Sequence, residues 1–193
     1  MPAISSPAVP ELTVADAAAW REWLEENESC SNGVRLVLAK KGIHSPTSLS
    51  YAQALEEALC SGWIDGRRNS GDQGTYRQHF TPRRARSLWS KRNIELTAGL
   101  IAAGRMRERG YAEISRAKAD GRWDSAYPGA AELDVPTDLQ TALDADPAAA
   151  AAFAALSRTA RYPVLLQVVT APNDAVRAAR ILRQVARLAA GNG

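Results

Sequence analysis

The segment Phe80-Thr81-Pro82-Arg83-Arg84-Ala85-Arg86-Ser87-Leu88-Trp89-Ser90-Lys91-Arg92-Asn93 gathers five basic groups, two serines and a tryptophan just ahead of a predicted helix. Guanidinium forks pair bidentately with phosphate or carboxylate, the free amides of a helix N-terminus favour anions, and a tryptophan stacks on bases, sugars or arginines. Arg83, Arg84, Arg86, Trp89, Ser90, Lys91 and Asn93 are therefore candidate ligand-binding residues of an anion site. The competing reading salt-bridges Arg83 and Arg86 to an acidic first helix or to Glu56 and Glu57 and buries Trp89, because charge runs are usually solvated or paired internally. A second cluster is Trp63-Ile64-Asp65-Gly66-Arg67. On a strand, Trp63, Asp65 and Arg67 share one face and Ile64 takes the other, so these three join the candidate ligand-binding residues, with Asp65 placed to orient Arg67 or Arg83, or to act as a purely structural partner.

Catalytic chemistry finds less support. Cys60, His79 and Asp65 are the residue types of a nucleophile, base and orienting acid, but Cys60 ends an amphipathic run beside Leu59, where a small buried apolar residue belongs. His44 and His79 are the only histidines and neither has metal-ligand spacing. The Gly-rich nucleotide loops and the Gly-x-Ser-x-Gly elbow do not occur, so no metal and no cofactor is expected. Arg177, Arg180, Arg183 and Arg187 form a stripe late in the chain, read as the wet face of a docked terminal helix in preference to a nucleic-acid or lipid contact.

The elements that must position these groups follow from periodicity and capping. Thr13 with Asp16 resembles a capping box, and Ala17, Trp20 and Leu24 recur at helical spacing to about Asn27. Val34 to Ala39 reads as a strand. Ser50 with Gln53 makes a second capping box, Leu49 and Ala54 form a hydrophobic staple, and the helix they open ends at Gly62. Trp63 to Arg68 and Thr75 to Thr81 read as a hairpin across the turn formers of Asn69 to Gly74. A third helix is predicted from a Ser90 cap, with Ile94, Ala98 and Ile101 as its apolar stripe, and a fourth near Arg107 to Ala119. Thr137 to Ala145, a helix capped by Asp146 with Pro147 first, and a last helix capped by Asn173 complete an all-helical tail. Ser157 to Thr170 reads as helix, with Pro163 and the β-branched run Val164 to Thr170 as the argument for a strand.

The fold class predicted is α+β: a small antiparallel sheet covered by helices, then an all-helical C-terminal subdomain. The organisation expected is a loose tail over 1–11, an α+β subdomain over 12–122, a connector over 123–136 and the helical subdomain over 137–193.

The chain has 193 residues with 24 basic and 21 acidic ones, and 46% hydrophobic residues, which suits a globular core and argues against disordered, fibrous or disulfide-scaffold classes. Its net charge of +3 hides an asymmetry. From Arg67 to Arg122 there are 14 basic and 5 acidic residues, a local excess of +9, so the remainder carries −6. No apolar run reaches the roughly 18 residues of a membrane-spanning helix, and Met1 to Pro10 has neither a positive nor an apolar leader region. A cytoplasmic protein with Cys30 and Cys60 as reduced thiols is the expectation.

The pieces Glu56-Glu57-Ala58-Leu59-Cys60-Ser61-Gly62-Trp63-Ile64-Asp65-Gly66, Phe80-Thr81-Pro82-Arg83-Arg84, Ser87-Leu88-Trp89-Ser90-Lys91-Arg92-Asn93 and Ala117-Lys118-Ala119-Asp120-Gly121-Arg122-Trp123 together resemble the YdeI/OmpD-associated family. The likeness extends from about Leu12 to the C-terminus, with Pro163 as a departure. It implies association with outer-membrane porin and tolerance of bacteriocins or cationic peptides, and supplies no reaction, cofactor or catalytic residue. The expected function is binding of an anionic small molecule or acidic protein through the Arg/Trp segment. Nucleic acid is the alternative partner for the same segment, and an enzyme using Cys60 or Asp65 the weaker third reading. The oligomeric state has no signature in the chain.

Overall fold

The computed structural model describes residues 9–191 and contains, among them, a four-stranded sheet and eight helices. The expected α+β class is observed. Residues 9–89 with 93–125 form one compact unit, and residues 90–92 with 126–191 a second. Of the tail expected at 1–11, residues 1–8 lie outside the described residues, while Glu11–Leu12 form a short strand, β1, that no sequence pattern announced.

In the first unit, α1 (Ala17–Asn27) is capped by Asp16, whose side chain accepts from the amides of Ala18 at 2.9 Å and Ala19 at 3.0 Å. The cap is thus Asp16 itself and not a Thr13 box, because a carboxylate at the N-cap reaches two orphan amides directly. Trp20 and Leu24, one turn apart, are buried. β2 (Val34–Ala39) follows as predicted. Then α2 (Tyr51–Cys60) opens on the Ser50–Gln53 capping box, with both reciprocal bonds formed. It closes on Gly62, whose φ of +68° is the left-handed conformation a helix C-terminus favours.

β3 (Trp63–Ser70) and β4 (Thr75–Pro82) form the hairpin, and the strand order is β1-β2-β4-β3. β1 pairs parallel with β2; the other two pairings are antiparallel. One sheet face packs Val34, Leu36, Leu38, Trp63, Tyr76 and Phe80 against α1 and α2. Trp20 sits at the centre, stacked on Trp23 at 5.3 Å, edge-on to Trp63 at 6.3 Å and donating Nε1–H to the Ala54 carbonyl at 3.1 Å. Such aromatic contacts add about 0.5–1.5 kcal/mol each beyond their burial.

α3 (Lys91–Ala102) and α4 (Glu108–Ala119) complete this unit apart from the first two residues of α3. The buried face of α3 is Asn93, Thr97 and Leu100, so the predicted stripe of Ile94, Ala98 and Ile101 is displaced by about one residue. Ile101 is 39% exposed. Two stripes at helical spacing competed here, and the one carrying Asn and Thr faces inward.

The second unit is helical throughout: α5 (Thr137–Asp144), α6 (Pro147–Ala155), α7 (Arg158–Val169) and α8 (Asp174–Ala189). Its core joins Leu139, Leu143, Phe153, Val164, Val168, Ile181 and Leu188. α7 runs through Pro163 because Ser157 caps it early and Val164 and Val168, one turn apart, anchor its later half. The strand alternative for Val164 to Thr170 is therefore set aside. On α8, Arg177 pairs with Asp138 and Arg180 donates to the Gln167 carbonyl at 2.8 Å, which fits a docked terminal helix.

Gly110 on α4 is the tightest joint in the first unit, since a β-carbon there would drive into the Cys60 carbonyl oxygen and meet the Met106 methyl at 2.5 Å. Gly110→Ala is expected to cost about 1–3 kcal/mol in urea unfolding, as overpacking does. An unchanged midpoint would contradict the close approach of α4 to the end of α2.

Candidate functional site

The arginine segment leaves β4 at Pro82 and folds back on itself. The Arg83 amide donates to the Gly62 carbonyl at 3.0 Å, and its guanidinium is buried, 3.6 Å from the Trp89 ring centroid, with Nη1 donating to the Leu88 carbonyl at 3.0 Å. Trp89 is itself buried and packs at 4.8 Å on Trp123, over which Lys118 lies at 5.3 Å. Between them the chain makes a turn: the Ser87 amide donates to the Arg84 carbonyl and the Arg84 amide to Ser87 Oγ, both at 2.9 Å. From outside, Arg122 donates to the Ser87 carbonyl at 2.7 Å while its fork is held by Asp120.

Two arginines therefore brace a turn from which two others project. Arg84 and Arg86 are exposed, and among the described residues neither forms an ion pair. The remaining candidates lie elsewhere. Ser90 bridges to Tyr127, the Lys91 amide donates to the Tyr127 carbonyl at 2.9 Å, and the Lys91 ammonium is 3.6 Å from Glu132, all in the second unit. Asn93 is buried at the start of α3. Trp63 is a core residue, edge-on to both Trp20 and Trp23. Asp65 accepts from the Tyr51 hydroxyl at 2.9 Å, and Arg67 is exposed. The expected one-sided trio of Trp63, Asp65 and Arg67 does not form, because the β3–β4 register shifts between Asp65 and Arg68. Asp65 stands opposite Phe80 and Arg68 opposite Gln78, two residues on one face of β4. Arg68, not Arg67, therefore shares a face with Asp65.

The acids expected to neutralise the arginine segment serve different arginines. Glu57, 1% exposed on α2, receives Arg21 Nη2 at 2.8 Å and Arg105 Nη2 at 2.7 Å on Oε1, and Arg21 Nε at 3.0 Å and Arg107 Nη1 at 3.2 Å on Oε2. Arg105 also takes Glu56 at 2.7 Å, and Arg107 approaches Glu25 at 3.6 Å and donates to Ser61 Oγ and the Glu57 carbonyl. Burial alone would raise the Glu57 pKa; the hydrogen bonds from Arg21, Arg105 and Arg107 outweigh it and hold the carboxyl at about 2. The sequence signals for this cluster were the Glu56-Glu57 pair on a predicted helix and Arg105-Met106-Arg107 just after Gly104.

The thiol, imidazole and carboxyl of the enzymatic reading are not brought together. Cys60 is buried among apolar side chains, and that burial raises its pKa away from the reactive thiolate. His79 neighbours Phe80 on β4 and so faces away from Asp65, its own pKa lowered by burial and by Arg84 and Arg35. Among the described residues no three His, Cys, Asp or Glu side chains cluster as a metal site would need, and no helix is long and apolar enough to cross a membrane.

Glu57→Gln leaves three guanidinium groups around a neutral amide, and removing one partner of a buried pair costs about 3–5 kcal/mol. The Glu57 pKa in the fold lies below its ordinary 4.5, so its stabilisation is fully present above that value and is lost as pH falls toward about 2. Urea midpoints measured from pH 6 down should show this loss in the native chain and a flatter acid limb in Glu57→Gln; parallel acid limbs would contradict the cluster.

A domain of unknown function (DUF8412) matches residues 12–113, just over half of the chain. The family described as Bacteriocin-protection, YdeI or OmpD-Associated matches residues 132–191, the helical C-terminal part. The pieces that carry the sequence resemblance therefore fall in the first match or, for Ala117 to Trp123, between the two. No curated protein and no solved structure matches the chain. The chain belongs to the family defined by that domain of unknown function, and joins to it a C-terminal domain of the YdeI/OmpD-associated, bacteriocin-protection family.

Proposed function

We propose that the protein binds an anionic small molecule or an acidic protein surface through the Arg84–Arg86 turn, and that this binding serves tolerance of bacteriocins or cationic peptides. The observation that carries the reading is the division of labour among the arginines. Arg83, Arg105, Arg107, Arg116 and Arg122 each donate to an acceptor within the fold, whereas Arg84 and Arg86 project from a turn that Arg83, Arg122 and Ser87 already hold. A turn ordered before binding loses less entropy on association. Two forks on one short loop suit a carboxylate-rich or phosphate-bearing surface. Arg35 adds to the same positive field, since it and Arg84 both disfavour the charged form of His79.

The roles of neighbouring arginines then separate by experiment. With oligoglutamate and pyrophosphate as probes, the double variant Arg84→Ala/Arg86→Ala loses binding at an unchanged melting temperature. Arg83→Ala gives up a carbonyl hydrogen bond and the Trp89 contact and destabilises the fold by about 1–3 kcal/mol. Undiminished probe binding by the double variant would refute the proposal. Tighter binding of a single-stranded oligonucleotide, with affinity falling steeply between about 50 and 200 mM salt, would replace it with nucleic-acid recognition.

A further inference from the structure

A separate cleft of about 320 Å³ opens beside the irregular part of β3, lined by Tyr51, Asp65, Gly66, Arg68, Tyr76 and Gln78. Its charged residues meet only because of the bulge. Residues three apart on a regular strand point to opposite faces, yet Asp65 and Arg68 oppose Phe80 and Gln78, which share one face of β4. The distortion is held from within: buried Gln78 donates Nε2–H to the Gly66 carbonyl at 2.7 Å, which satisfies backbone that the ladder leaves out.

The two charged groups are oriented but not consumed. Tyr51 donates its hydroxyl to Asp65 Oδ2 at 2.9 Å, leaving Oδ1 as an acceptor. The Arg68 guanidinium carbon lies 4.0 Å from the Tyr76 ring centroid, and among the described residues its N–H groups donate to no protein acceptor. Asp65 and Arg68 do not ion-pair with each other there. A net anion in this cleft would face the Asp65 carboxylate, and a net cation would face Arg68. A molecule carrying both charges on a small frame satisfies each, and the cleft volume is at the lower end of small-molecule sites.

We propose that the Asp65–Arg68 cleft binds a small zwitterion of the α-amino-acid class, the ammonium on Asp65 and the carboxylate on Arg68, between the rings of Tyr51 and Tyr76. The site is independent of the Arg84–Arg86 turn. Saturation-transfer NMR and calorimetry on the full chain, with glycine, L-serine, L-glutamine and L-arginine as probes and ethanolamine and propionate as single-charge controls, test it. At least one amino acid binds, and the controls bind at least about tenfold more weakly because each leaves a polar group of the site unmatched. Asp65→Asn and Arg68→Ala each reduce amino-acid binding by about tenfold or more, and Arg84→Ala/Arg86→Ala leaves it unchanged. Arg68 is exposed, so its variant keeps the native melting temperature. Binding of none of the four amino acids, equal binding of propionate or ethanolamine, or binding undiminished in Arg68→Ala overturns the proposal.

Discussion

One buried carboxylate organises the first unit. Glu57 lies on α2, and its three partners are Arg21 of α1, Arg105 of the loop between α3 and α4, and Arg107 at the N-cap of α4. A carboxylate taken out of water is costly unless hydrogen-bonded on both oxygens, and here each oxygen accepts from two guanidinium groups. The converse also holds: three cations converging on one acid would repel each other without Glu57 or with it protonated. The ionic cluster narrows the arrangement that the packed core already sets, because planar forks and carboxylate oxygens meet only in a narrow range of geometries.

That cluster explains what the basic middle of the chain does. Part of that basic middle is structural: Arg105 and Arg107 lie on Glu57, Arg77 on Glu11, Arg116 on Glu113, Arg122 on Asp120, and Arg83 under Trp89. Arginine suits both roles, since its charge persists when buried and its flat face stacks on tryptophan. Arg83 and Arg122 hold the turn on which Arg84 and Arg86 are exposed. The same sheet builds the Asp65–Arg68 cleft at its bulge, so the unit carries two polar features on one scaffold of strand and turn.

Local features were legible in the sequence and long-range ones were not. The Ser50–Gln53 box and the Asp146 and Asn173 caps depend on residues within four positions of one another, and each forms as expected, as do the β2 boundaries; the hairpin forms too, with Asn69 and Ser70 in the ladder and not in the turn. The inner face of α3 differs from the expected stripe because two stripes at helical spacing overlap and only packing chooses between them. Glu57 and its arginines are separated by 36 to 50 positions, a distance at which charge sums describe but do not pair. The bulge was half visible. An isolated glycine within a strand marks such irregularity, and Gly66 sits inside it, but the side that the chain then presents depends on which β4 residue takes the opposing place. The family resemblance was recognised correctly, while the match to it lies in the helical tail and not in the motifs that suggested it.

Glu57 stays ionised inside the fold because three arginines hold it. A carbon-13 NMR titration of the Glu57 side-chain carboxyl in the intact protein measures this directly. The expected midpoint is at about 2, or the carboxyl remains ionised until the chain unfolds; a reversible midpoint near the ordinary 4.5 in the folded protein would show that the arginines do not hold it.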